Sequence, residues 1–187
     1  MLAKLRFAMA LTPRPGGPNG EMAAAKLLDE QDWYDELAGV VISAGALITD
    51  AVGRLLLVKP NYRDHWTLPG GICEQGEPPH DGCAREVAEE IGLDRAIGRL
   101  LSVSWSQPYG PATRPSMHFI FDGGELAGGD GITLQHEELD AWKFAAAGQL
   151  PDWLPPHVVR RVTGALSARR EGPVSYLAEL PGGHRGG

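Results

Sequence analysis

A surplus of basic charge is what this sequence most plainly lacks. It carries 17 Lys and Arg against 24 Asp and Glu, a formal net charge of −7. Nucleic-acid polymers are held through their phosphates by basic surfaces, so this balance argues against one as a partner. Cysteine is nearly absent. Cys73 and Cys83 form neither a C-x-x-C pair nor a zinc set with nearby histidines. Such thiol use suits a reducing compartment, and the expected location is cytoplasmic. No apolar run is long enough to span a membrane, so no membrane partner is expected. Residues 4–11, KLRFAMAL, have too short an apolar core and no clear cleavage site for a secretory signal. No internal repeat is visible. Hydrophobic residues make up 43% of the chain, enough for a real core.

A chain of 187 residues suggests one domain with extensions. Residues 1–38 read as an N-terminal extension. A Pro/Gly-rich stretch at 12–20 precedes a helix over 21–37, with Met22, Leu27, Leu28 and Trp33 apolar. This arm either covers the sheet or mediates a homodimer. Residues 39–170 read as the main domain. Strands are expected at 40–49 and 54–59, joined by Asp50-Ala51-Val52-Gly53 as a hairpin turn. Further strands are expected at 97–105, 116–121 and 139–144. In the second of these, Met117, Phe119 and Phe121 share a face opposite His118, and Asp122-Gly123-Gly124 then turns the chain. Trp142 lies in the third. Pro155 and Pro156 open a helix to about Arg169, striped by Val158, Val159, Val162 and Leu166. Residues 171–187 read as a tail with a short strand at 174–177. Strands alternating with helices give an α/β (α+β) sandwich.

The densest information lies in residues 71–93, GICEQGEPPHDGCAREVAEEIGL. Glu77 followed by Pro78 and Pro79 reads as a helix start, because proline fits a first turn whose N–H groups lack intrahelical partners. A carboxylate there suits the positive end of the helix dipole. Gly92 suits a left-handed cap at the other end. Ala84, Val87, Ala88 and Ile91 fall at i, i+3, i+4 and i+7, one buried stripe. Glu86, Glu89 and Glu90 are then expected opposite the stripe, within reach of a common point. Carboxylates so packed repel one another unless a cation sits among them, and oxygen ligands suit Mg²⁺ or Mn²⁺. Arg85, four residues before Glu89, is placed to orient a carboxylate. A solvated acidic face is the plain alternative for AREVAEE alone. The preceding Trp66-Thr67-Leu68-Pro69-Gly70-Gly71 decides against it: an apolar strand end runs into a double glycine that permits close backbone approach to a ligand.

Gly71, Glu77, Arg85, Glu86, Val87, Glu89, Glu90, Gly92 and Leu93 match G-x5-E-x7-R-E-U-x-E-E-x-G-U, with U aliphatic, at every fixed position. The chain therefore resembles the Nudix hydrolases, over about residues 39–170. Chance occurrence of the whole pattern is on the order of one in ten million, which makes this the leading reading. The resemblance implies the Nudix fold, a mixed β-sheet sandwiched between helices. It implies hydrolysis of a nucleoside diphosphate linked to a group X, giving a nucleoside monophosphate and phosphorylated X. The implied cofactor is Mg²⁺ or Mn²⁺, held by Glu86, Glu89, Glu90 and the Gly71 carbonyl, with one glutamate also a candidate base. Arg85 belongs to the catalytic set, and Glu77 and Gly70 support it.

Outside the box the residues leave choices open. Glu137 or Glu138 could supply a further carboxylate, Glu138 being the candidate metal ligand; His136 reads better as part of an exposed polar loop. Arg63 could grip a phosphate, since a guanidinium matches phosphate geometry. Tyr62 could stack on a base, whereas Trp66 reads as core. Pro108, 15 residues past Leu93, is similar to a proline of ADP-ribose pyrophosphatases. Ser106-Gln107-Pro108 also resembles the opening of the NADH pyrophosphatase signature, but the chain departs from it after Pro108. ADP-ribose-like substrates are slightly favoured over nucleoside triphosphates. The rival from another class is a non-catalytic nucleotide sensor. Such domains often lose box glutamates, and none is lost here. Cys73 lies in the presumed site loop but reads as incidental rather than nucleophilic.

Overall fold

The computed structural model describes residue 37 and residues 39–108, 112–129 and 131–179. The linker over 12–20, most of the helix expected over 21–37, Tyr109 and the last residues of the tail lie outside them. The chain divides into two compact units, Met1–Ala38 and Gly39–Gly187. All the elements below belong to the second.

Seven strands form one mixed sheet: β1 (Val41–Thr49), β2 (Leu55–Pro60), β3 (Gly70–Ile72), β4 (Leu100–Ser106), β5 (Ser116–Glu125), β6 (Leu139–Ala145) and β7 (Ser175–Glu179). Among the described residues the α-helices are α1 (Pro79–Ile91), α2 (Leu150–Trp153) and α3 (Pro156–Glu171). The strand order is β6-β2-β1-β5-β4-β7, and β3 pairs antiparallel with β1. β1 runs parallel to β5, and β4 runs parallel to β7. The short strand expected near 174–177 therefore exists and closes one edge.

Side-chain alternation along the strands builds two cores. Ala44, Ala46 and Ile48 of β1, with Leu56 and Val58 of β2, pack under Cys83, Val87 and Ile91 of α1. Leu47, Leu55 and Leu57 point the other way and pack under Val162, Ala165 and Ala168 of α3. Period-two alternation thus puts one core on each sheet face. The sheet lies between helices, as the sequence reading expects. β2 is apolar on both faces because it is covered on both, like the interior strands of α/β proteins. Trp66 packs against the α3-side core and meets Trp153 edge-on, with ring centroids 5.9 Å apart.

Two strand boundaries differ from the sequence reading. Ile97 precedes β4, which begins at Leu100; it is buried, and its carbonyl accepts a bond from His80 Nε2 at 2.8 Å. Asp122-Gly123-Gly124 does not turn the chain, because β5 continues to Glu125. The glycines serve packing instead. A Cβ on Gly123 would stand 2.4 Å from Ile48 Cγ1, so only glycine lets the strands approach there. Gly124 takes φ 74° and donates its N–H to Asp122 Oδ1 at 2.9 Å, where the β1–β5 register shifts.

Candidate active site

The site grows from the junction of β3 and α1. Pro78 caps α1 in an extended conformation, and Pro79 begins it. Gly92 closes it at φ 71°, donating its N–H to Ala88 O. The helix buries Cys83, Val87 and Ile91, whereas Ala88 of the expected stripe is exposed. The buried face is therefore rotated toward Cys83, and this carries Glu90 inward. Glu90 is 5% exposed and lies on the buried side of the helix. The expectation that all three glutamates project opposite the apolar stripe is corrected here.

The double glycine explains how a carboxylate is tolerated there. Gly70 adopts φ 138° as β3 pairs with β1. Its N–H donates to Glu90 Oε2 at 2.7 Å. A Cβ on Gly70 would stand 2.2 Å from Ala44 O, and one on Gly71 would stand 2.5 Å from the Glu86 carboxyl carbon. Both positions need glycine, one for the backbone and one for the acid.

Arg85 organises the exposed side of the cluster. Its Nε and one terminal nitrogen donate to the two Glu77 oxygens at 2.8 and 3.0 Å. Its other terminal nitrogen donates to Glu86 Oε1 at 3.0 Å and Glu89 Oε2 at 2.9 Å. Such a planar fork fixes orientation as well as charge. Glu77 also accepts the Glu74 N–H at 2.8 Å. Its carboxyl is held at about 2, chiefly by Arg85.

Burial acts the other way on the inner glutamates. It pushes Glu90 up to about 8, against the stabilising Gly70 N–H and with added repulsion from Glu86 and Glu138. Burial also raises Glu86; the Arg85 contact opposes this, while Glu89 and Glu138 add to it. Two desolvated acids side by side, with a third close enough to repel both, are oxygen donors whose charge calls for a counter-ion. As they stand they do not converge on one point. Glu89 is drawn outward by Arg85, and among the described residues no three acidic, histidine or cysteine side chains form a closed ligand set.

Glu138 ends a loop close enough to the cluster for its charge to raise both Glu86 and Glu90. Gln135 N donates to Glu90 O at 3.0 Å, which ties the loop to the end of α1. His136 and Glu137 are exposed. Tyr62 is exposed, with Arg63 above its ring at 5.2 Å. Their loop joins the Glu138 loop through Asn61, whose N–H donates to Glu138 O at 2.9 Å and whose Nδ2 donates to Glu137 O at 2.7 Å. Sequence reasoning missed Asn61. Its one signal is an amide directly after a strand-ending proline. Pro108 is exposed just past β4, and no described contact links it to the carboxylates. Cys73 is half-buried, its thiol raised mainly by burial; Cys83 is fully buried and pushed up to about 12. Neither is poised as a nucleophile.

Residues 40–166 match the NUDIX domain family model. The chain belongs to that family. It is 35% identical over 81 residues to a Bacillus subtilis protein provisionally named an ADP-ribose pyrophosphatase, covering 43% of this chain and 39% of the relative. It is 27% identical over 119 residues to a provisionally named 8-oxo-dGTP diphosphatase of the same organism, covering 64% of this chain and 75% of that one. The first match thus spans well under half of that relative's length. The MutT protein of Methanosarcina mazei Go1 superposes with a TM-score of 0.59 over 72% of this chain and 97% of its own, at 22% identity. At that identity the likeness speaks to the fold.

Proposed function

We propose that this chain is a divalent-metal-dependent pyrophosphohydrolase that cleaves a nucleoside diphosphate linked to X. The observation that carries the reading is the pair of buried Glu90 and half-buried Glu86 seated on Gly70 and Gly71. A buried acid without a cation is a cost to the fold, so its presence beside a glycine-lined backbone points to use. The donor set fits Mg²⁺ or Mn²⁺: Glu86 and Glu90 would hold the ion, with Glu89, Glu138 and the Gly71 carbonyl as further oxygens. When bound, such an ion neutralises charge on the bridging phosphates and lowers the pKa of a bound water.

The protein's own part is positioning. Arg85, locked by Glu77, holds Glu86 and Glu89 in place along α1. Gly70 keeps one Glu90 oxygen turned to its N–H. Glu138 would complete the set from its loop and is a candidate to accept a proton from the attacking water. Tyr62 and Arg63 stand on the adjoining loop as candidates to stack a base and grip a phosphate.

The ADP-ribose-like substrate is the favoured X-linked compound, supported by the name of the first relative and by Pro108. The second relative supports a nucleoside triphosphate instead. The test is incubation with Mg²⁺ or Mn²⁺ and ADP-ribose, NADH, nucleotide sugars, dinucleoside polyphosphates and (d)NTPs, including oxidised ones. Glu90→Gln serves as the blank. Metal-dependent cleavage of one class names X; nucleotide binding without product would instead favour a sensor.

A further inference from the structure

The loop that carries Glu138 is anchored at both ends, and within it Glu138 N and Leu139 N donate to Gln135 O at 3.1 and 2.9 Å. At one end, Thr133 N and Gln135 N donate to Ile91 O and Glu90 O at 2.9 and 3.0 Å. At the other, Leu139 is 1% exposed and pairs with Pro60 across the β2–β6 ladder. Between these anchors His136, Glu137 and Glu138 are exposed. Both the Glu137 and Glu138 carbonyls accept from one residue, Asn61, through its side chain and its N–H respectively.

Asn61 itself stands on a hydrogen-bonded turn. Lys59 Nζ donates to Pro60 O at 2.9 Å and also to Arg63 O, drawing the 59–63 turn together. Val58 and Thr67 exchange two backbone bonds at 2.9 and 3.0 Å, closing the loop's base. The Asn61 amide therefore projects from a turn closed by these bonds.

We propose that Asn61 is a positioning residue: its amide locks the Glu137–Glu138 segment so that the Glu138 carboxylate faces Glu86 and Glu90. The same clamp ties the Tyr62–Arg63 turn to the Glu137–Glu138 backbone. This inference rests on the metal-dependent reading above. Loss of a residue that orients a ligand commonly lowers metal affinity or activity 10- to 100-fold. Asn61→Ala removes only the side-chain bond, and the Asn61 N–H remains. The expected loss is about tenfold, the low end of that range.

The test is a double-mutant cycle read by Mn²⁺ binding, using electron paramagnetic resonance of the free ion. The proteins are wild type, Asn61→Ala, Glu138→Gln and the double variant. Asn61→Ala should weaken Mn²⁺ about tenfold alone and add nothing in the Glu138→Gln background, as expected when one residue acts through the other. On the substrate identified by the panel, kcat should fall while KM holds. An unchanged Mn²⁺ affinity overturns the proposal. So does an equal loss with and without the Glu138 carboxylate, which marks a merely structural role, and so does a wild type that binds no Mn²⁺. If Asn61→Ala fails to fold, Asn61→Asp repeats the cycle with the donor replaced by an acceptor of the same size. A wild type that binds Mn²⁺ but turns over nothing sinks the hydrolase reading, while the Mn²⁺ cycle still decides Asn61.

Discussion

Gly71 and Glu86 occupy space that only a glycine leaves open. A Cβ at Gly71 would stand 2.5 Å from the Glu86 carboxyl carbon and 2.5 and 2.6 Å from its oxygens. The neighbouring Gly70 is constrained by backbone instead: its Cβ would meet Ala44 O at 2.2 Å, at φ 138°. The two glycines look alike in the sequence and do different work.

That difference is testable by alanine at each. Gly71→Ala meets the far end of a flexible side chain, so the fold should survive while the Glu86 carboxyl is displaced. Turnover should fall about 10- to 100-fold with little change in Tm. Gly70→Ala meets backbone at an unfavourable φ and should destabilise by about 1–3 kcal/mol or more. Urea denaturation and steady-state kinetics separate the two; a normal kcat in Gly71→Ala would contradict the assignment of Glu86.

Glu90 makes stability depend on pH in the metal-free protein. Its folded value of about 8 lies above its ordinary 4.5. The folded state then holds a proton that the unfolded chain releases. Stability is full below about 4.5 and is lost as pH rises toward 8. Glu90→Gln removes this loss and keeps an oxygen for the Gly70 N–H. The variant should melt several degrees above wild type at pH 8 without divalent ions, converge with it near pH 4.5, and be nearly inactive. Calorimetry in EDTA checks this. A wild-type Tm flat between pH 5 and 8 would argue against a buried, raised Glu90.

Glu77 behaves oppositely. Arg85 holds its carboxyl at about 2, below its ordinary 4.5, so this pair stabilises above 4.5 and fades only as pH falls toward 2. Glu77→Gln should loosen the Arg85 guanidinium that also holds Glu86 and Glu89. A fall in kcat of about tenfold is expected, with metal affinity also reduced. Titration of activity against Mg²⁺ reads both, and an unchanged midpoint would remove Glu77 from the support of the metal.

Cys73→Ser should keep nearly full activity, because burial raises its thiol and lowers its nucleophilicity. Slow alkylation by iodoacetamide at pH 7.5, with turnover preserved, is the expected result. A folded but inactive serine variant would reopen a role for the thiol.

Much of the architecture is legible because it rests on local chemistry. Prolines can begin α1 and α3 but cannot sit within them, and Gly92 can end α1 where other residues strain. Near-continuous apolar runs in β1 and β2 report a sheet covered on both faces. The errors lie where a neighbour outside the segment decides. Asp122-Gly123-Gly124 has turn composition, yet Ile48 of an adjacent strand demands the glycine. Ala88 fits the apolar spacing, yet α1 sits on the sheet through Cys83, Val87 and Ile91, and the rotation carries Glu90 inside.

The sequence by itself determined the family pattern, the ends of the box helix and the set of acids, because spacing along a helix and glycine or proline geometry are properties of the chain. Only the tertiary structure decided which acids are buried, which one Arg85 holds apart, and that Asn61 bonds residues 76 and 77 positions away. Burial and long-range hydrogen bonds depend on how helix, sheet and loops are brought together, and no local pattern encodes that contact.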